Sequence, residues 1–334
     1  MTPIVAATPQ SLIAALKAAS AGAVILLAPG KWDPVLIFRF QSPGEVTVRS
    51  QDPAHPAILS ALTINESEGL KFTDLTLATE LYNAPTSYQA PAPFRIIRSK
   101  RISLEGLSVH GTLDDNPQDD VNGVWVTDSV EITIRNCEFQ QLFNALTELR
   151  NDRVVIADNN FHDIRNDGID NGGTSDIKVT GNHFTDFYPV GAVGSTGDHA
   201  DAIQFWTTNT KTPAHDIEIT HNSFVRGHGS WIQGVFVTDQ VGIPFQRVTI
   251  TDNTIEGGEY NGVMVQGCNG LTIHGNTVRP YADMMSWIRV EQCTNAIVKG
   301  NRAGSYVYKR NGDLDGDRND QLSAMSPPFR MRKP

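Results

Sequence analysis

The stretch VVIADNNF (154–161) decides the fold: apolar residues alternate at Val154 and Ile156, an Asn follows at 159, and Phe161 closes the frame. The frame returns as IKVTGNHF (177–184), IEITHNSF (217–224), VTITDNTI (248–255) and LTIHGNTV (271–278). Upstream it fits LKFTDLTL (70–77), ISLEGLSV (102–109) and ITIRNCEF (132–139). Alternation of period two marks a strand. Self-similarity at about 22–25 residues, stretched to 30–40 where a loop is inserted, marks a solenoid. One coil cannot bury its own apolar face, so stacking must build the core. The expected fold is all-β, a right-handed single-stranded parallel β-helix of about ten coils.

Superposed frames put Asn159, Asn182, Asn222, Asn253, Asn276 and Asn301 at one place just past a strand. An inward Asn there bonds its neighbours and the turn backbone along the stack, so these residues are read as structural. Cys137 stands at the equivalent position. A second strand precedes each frame, with Val124, Leu146, Ile169, Ile203, Val235, Val263 and Ile288 expected inward. Alternation then sends Trp125, Thr147, Asp170, Gln204, Phe236, Met264 and Arg289 outward on one face. Cys268 and Cys293 should stack on adjacent coils as a reduced, buried pair, because in-register neighbours dispose their Cβ vectors poorly for a disulfide.

Solenoid ends must be closed. Thr8-Pro9 followed by Leu12, Ile13 and Leu16 on one face reads as a capped helix over Gln10 to Ala19. The expected organisation is a cap over 1–23, the β-helix over 24–305, and a tail over 306–334 that carries GDLDGDRND and the basic end PPFRMRKP. The alternating Asp313, Asp315, Asp317, Asn319 and Asp320 lack a calcium loop's sixth-position Gly and read as a solvated acidic turn.

The 334 residues carry a net charge of −10, which argues against nucleic acid as the main partner. No apolar run approaches the roughly 18 residues of a membrane span. The start MTPIVAATPQ lacks a basic region and a long apolar core, so no signal peptide is expected. Three cysteines cannot build a disulfide framework.

The chemistry is expected where acids gather. Glu148, Asp167, Asp170, Asp198, His199 and Asp201 come from three successive coils, and His228 leads into the next. Stacking should bring them within about 10 Å of one another on one sheet face. Trp125, Trp206, Trp231, Trp287 and Phe236 lie on or near that sheet, where flat rings can stack on sugars. Trp206 and Trp125 are nearest the acids. The Gly-rich segment Val190 to Gly197 is read as either a mobile wall or an ordinary insertion.

NDGID (166–170), DAIQ within DHADAIQ (198–204) and GHGS (227–230), in that order, resemble the polygalacturonase family of inverting glycoside hydrolases. That resemblance implies a right-handed β-helix with Asp167, Asp201 and His228 at catalytic positions. Ala200 stands where the family has the first Asp of an Asp-Asp pair, and Arg289-Val290-Glu291 where it has Arg-x-Lys. HADAIQFW with GSWIQGVFV is similar to pectate-lyase-like and alginate-epimerase-like β-helix proteins of bacteria and phages. This second resemblance implies His199 and Asp201 as an acid/base pair for the C5 proton of a uronic acid, with Tyr188 assisting.

The candidate catalytic residues are therefore Asp167, Asp170, His199, Asp201 and His228. Trp125, Glu148, Tyr188, Gln204, Trp206 and Arg289 are candidates for binding substrate. Glu148, Asp170, Asp198 and Asp201 offer the oxygen ligands calcium prefers, and the ion would neutralise a substrate carboxylate. The expected partner is an acidic polysaccharide, and the site of action extracellular or virion-associated. Three classes stay open: an enzyme acting by hydrolysis or by elimination or epimerisation, a trimeric tailspike-type glycan binder (otherwise a monomer is expected), and an adhesive scaffold.

Overall fold

The computed structural model describes residues 3–79, 92–191 and 198–327. Three parallel sheets of 13, 11 and 12 strands wind around one core. We call them sheets A, C and B respectively; the chain visits A, then B, then C, in every coil. The eleven strands of sheet C set the number of complete coils at eleven. Each repeated frame supplies one strand of sheet A (Asp152–Ala157, for example), the Asn at the A–B corner, and one strand of sheet B (Asn160–His162). The second strands form sheet C.

The Asn column is inward and continuous. The Asn159 N–H and Nδ2 both donate to Asn182 Oδ1, at 3.0 and 2.9 Å. Asn182 donates likewise to Asn222, Asn222 to Asn253, Asn253 to Asn276, and Asn276 to Asn301. Each Nδ2 also reaches a strand carbonyl of the coil below, such as Ile134 O for Asn159. All six side chains are buried. The residue before the Asn is left-handed, for example Asp158 at φ 56° and His221 at φ 57°, which turns the chain sharply from sheet A to sheet B. Inside sheet B the rings of Phe139, Phe161, Phe184 and Phe224 stack at 4.7, 4.8 and 4.9 Å between centroids.

A second column lies at the C–A corner. There Ser67, Ser99, Ser129, Asn151 and Thr174 each accept the N–H of the residue one coil below. Cys268 and Cys293 are buried, free and in register, as expected. The helix runs over Pro9–Ala18; Thr8 caps it and Leu12, Ala15 and Leu16 face the core.

The β-helix continues beyond residue 305. Ser305–Lys309, Leu314–Asp315 and Asp320–Gln321 join sheets C, A and B. Asn319 extends the Asn column, its Oδ1 accepting from Asn301 N–H and Nδ2. The frame was illegible here because this coil's strands in sheets A and B have only two residues each. The basic end from 328 and the Gly-rich segment from 192 lie outside the described residues.

Candidate active site

A third polar column stands at the B–C corner, two residues ahead of the inward apolar residue of six consecutive sheet C strands. Its members are Asn122, Asn144, Asp167, Asp201, Gln233 and Asn261, aligned by the register Val124, Leu146, Ile169, Ile203, Val235 and Val263. A small residue always follows: Gly123, Ala145, Gly168, Ala202, Gly234 and Gly262. The corner is tight, since a Cβ on Gly168 would meet Ala202 O at 2.7 Å and one on Gly234 would meet Gly262 O at 2.3 Å. This polar–small–apolar repeat was present in the sequence. It identifies Asp167 and Asp201 as carboxylates placed where other coils use amides.

Those two acids are 1% and 0% exposed. Asp167 Oδ1 accepts the Asp201 N–H at 2.9 Å, and its Oδ2 accepts from Asn166 Nδ2 at 2.7 Å. Asn144 Oδ1 accepts from Asn166 Nδ2 and the Asp167 N–H, and its Nδ2 reaches Asp170 Oδ2 at 3.4 Å. Gln204 Nε2 donates to Asp201 Oδ2 at 2.8 Å. Asp170, on the outer face of sheet C, is 8% exposed. Asp201 Oδ1 and Asp170 Oδ1 have no hydrogen-bond partner.

His199 is different. Its side chain is 59% exposed, and Nδ1 lies 3.6 Å from Asp201 Oδ2. One ligand atom each of Asp167, Asp201 and His199 falls within a sphere of mutual distances of 4.8 Å. Burial dominates the titration of the carboxyls. It pushes Asp170 up to about 8 with help from the Asp201 charge, and pushes Asp167 well above its ordinary value with help from Asp170 and Asp201. Asp201 rises only to about 6, because His199, Gln204 and Gln233 oppose its burial. His199 in turn is raised, chiefly by the Asp201 carboxyl beside it.

His199 opens into a cleft of about 490 Å³ lined also by Trp231, Gln233, Glu259, Tyr260 and Met284. Glu259 is raised by its own burial and by the Asp201 charge. Tyr260 stacks on Trp287 with centroids 5.2 Å apart, and Trp287 Nε1 donates to Asn261 Oδ1. Gln233, Glu259 and Tyr260 were missed because nothing local marks them; only the column repeat places Gln233 beside Asp201 and Asn261 one strand further on.

Several expected site residues stand elsewhere. Glu148 is inside the solenoid: it pairs with Val126 and Asn171 in register and is 0% exposed. Its Oε2 accepts from Asn151 Nδ2 at 2.6 Å, and burial pushes it up to about 8. Period two alone puts it there, since Thr147 is the outward residue. Asp198 is tied to Arg165 Nε at 2.7 Å and to the Val190 N–H. His228 lies on an exposed turn whose N–H bonds Asp186, outside the Asp167–His199–Asp201 group. Arg289 bonds Glu291 and sits three strands from Gln204. Tyr188 lines a separate cavity beyond Pro189. Trp206 packs over Gly172, and Trp125 stands two strands from Asp170.

The calcium set therefore does not converge. Of its four residues, Glu148 is in the core and Asp198 is ion-paired. The group that does converge, two buried carboxyls and an imidazole, suits a first-row transition ion better than calcium, which takes six to eight oxygens.

Three sheets, three polar corner columns and an acidic cleft at one corner define a parallel β-helix. The sequence profile of the right handed beta helix region family matches residues 112–315, and the chain belongs to that family. Among solved structures it resembles an alginate lyase from Paenibacillus sp. str. FPU-7, with TM-score 0.51 and 16% identity over 94% of this chain and 99% of that one. The A-module of the Azotobacter vinelandii mannuronan C-5 epimerase AlgE6 aligns with TM-score 0.53 and 14% identity over 97% and 96%. The Dettilon tailspike protein (gp208) aligns with TM-score 0.56 and 13% identity over 90% of this chain and 64% of its own. These identities carry the fold alone. No curated protein matches the chain. No helix among the described residues is long and apolar enough to cross a membrane.

Proposed function

We propose that the chain modifies a uronate-containing polysaccharide by elimination or epimerisation, with His199 as the proton-transfer group. The observation that carries this is exposure: among Asp167, Asp170, His199 and Asp201, only the imidazole is substantially open to the cleft. A glycosidase acting through Asp167 and Asp201 needs both carboxyls at the glycosidic bond. Both are sealed here, one bonded to the other's backbone.

With Nδ1 turned to Asp201, Nε2 is the nitrogen on the far side. It takes the proton from the carbon bearing the uronate carboxyl. In elimination the released electron pair forms the C4–C5 double bond as the C4–O bond breaks and the leaving oxygen gains a proton. In epimerisation a proton returns to the opposite face of the same carbon. Tyr260, 41% exposed across the cleft, is the proposed donor in either case. Asp201 positions His199 and stabilises its cationic form. Asp170, pushed up to about 8, keeps further negative charge away from Asp201. Trp231 offers a flat wall for a sugar ring.

The test is a panel of uronate polysaccharides followed by ultraviolet absorbance of the unsaturated product, by new reducing ends and by solvent deuterium at C5. Absorbance or deuterium that His199→Ala abolishes supports the proposal. Reducing ends without absorbance assign hydrolysis and return the chemistry to the carboxyls. Binding with no product assigns a glycan-binding protein.

A further inference from the structure

We infer that the cavity beyond Pro189 is a subsite for a neutral sugar, so that the polymer worked on at His199 alternates charged and neutral units. This rests on the reading of His199 above and specifies its substrate. The cavity holds about 320 Å³, and Pro189 lines both it and the cleft of His199. The loop 112–121, which leads into strand Val124–Thr127, supplies Asn116, Gln118 and Asp120; Tyr188 comes from the chain leading to Asp201–Trp206. Those two strands lie three apart in sheet C, roughly 14 Å at the usual spacing. Several linked sugar rings cover that distance.

The charge around the cavity selects the sugar. Asp120 is 2% exposed and its Oδ1 has no hydrogen-bond partner. Burial pushes it up to about 8, helped by Asp119, Asp114 and Asp163. The opposing cation, Arg165, is already engaged by Asp198 and by Gln118 O. At neutral pH the cavity thus presents a neutral carboxylic acid and side-chain amides inside an anionic rim. A uronate carboxylate placed there meets like charge with no unengaged cation to offset it. Hydroxyl groups of a neutral sugar donate to and accept from these same groups, and the Tyr188 ring gives a face to stack on. A metal ion fits less well. Asp115 Oδ1 is taken by Gln141 Nε2 and Asp163 Oδ2 by His162. Among the described residues, no three His, Cys, Asp or Glu ligand atoms converge here as they do around His199.

The experiment uses calorimetry on the full chain carrying His199→Ala, so that polymers bind without turnover. In hyaluronan and deacylated gellan neutral sugars separate the uronates; alginate and polygalacturonate are uronate throughout. At least one alternating polymer should bind about tenfold tighter than both homopolymers. Adding Tyr188→Ala should erase that preference, and Gln118→Lys should narrow it by admitting a carboxylate. The inference is overturned by equal or tighter binding of the homopolymers, by a preference that survives Tyr188→Ala, or by no binding of any of the four. It is also overturned if calcium binds and Asp120→Asn abolishes that binding. If the preference holds but the wild type makes no product, the role of His199 falls and the subsite stands. If alginate is turned over as well as hyaluronan, the subsite falls and His199 stands.

Discussion

The A–B and B–C corners are built alike and behave differently. Both carry one polar side chain per coil, aligned along the axis and largely buried. At the A–B corner every member from 159 to 301 is Asn, and each donates and accepts without a break. An amide can do both; a carboxylate only accepts. At the B–C corner the column runs Asn, Asn, Asp, Asp, Gln, Asn, and it loses its side-chain donors at Asp167 and Asp201. The unpartnered Asp201 Oδ1 lies at that break. Packing would be served by amides throughout, so the acids mark the place where stability gives way to chemistry.

The largest expected effect tests that division. His199→Ala or Asp201→Asn should cut turnover about 10²–10⁴-fold while circular dichroism and melting stay near wild type. A collapse of the fold in both would make the acids structural and remove the contrast between the corners. Next is Glu148, the acid that belongs to neither column. Its folded value of about 8 lies above the ordinary 4.5, so the unfolded chain gives up its proton first. Stability is then full below about pH 4.5 and falls as pH rises toward 8, by an amount on the order of a few kcal/mol. Glu148→Gln should flatten that fall in denaturant titrations; an unchanged pH profile would mean the group ionises at no cost.

Smaller effects separate the columns themselves. Asn222→Leu removes a donor and an acceptor from the continuous ladder and should destabilise by roughly 1–3 kcal/mol. Asp167→Asn restores an amide and should leave stability unchanged or raised at neutral pH. If both substitutions cost the same, the corners are equivalent. The smallest expected effect is kinetic. The general base must be neutral, and Asp201 raises His199. The acidic limb of the pH–rate profile should therefore lie above the ordinary imidazole value, and in the residual activity of Asp201→Asn it should move down.

Much of this was legible in sequence. The Asn frame set register and core and came within one of the eleven coils found, because period two and a turn residue are local signals repeated many times. Asp167, Asp170, His199, Asp201 and Gln204 were legible for the same reason: they lie at or beside strands whose phase was known. Glu148 shows how acidity can outweigh phase in such a reading, since the alternation through Leu146 and Thr147 already faced it inward. Asp198, His228 and Arg289 failed for another reason. Arg165 and Glu291 hold the first and last, and Asp186 accepts the His228 backbone N–H, so two of these three bonds cross to another coil. No local pattern announces such a bond.

The ladder spacing has a consequence for how such a molecule can change. Asn159 and Asn182 are 23 residues apart and Asn182 and Asn222 are 40 apart, yet both backbone bonds measure 3.0 Å. Seventeen extra residues leave the next coil undisturbed. Loop closure grows only with the logarithm of length, about 0.6 kcal/mol per doubling. Insertions at a corner are thus nearly neutral events for the scaffold, while one beside the cleft redraws its walls. Selection can reshape the cleft on an old frame, one loop at a time.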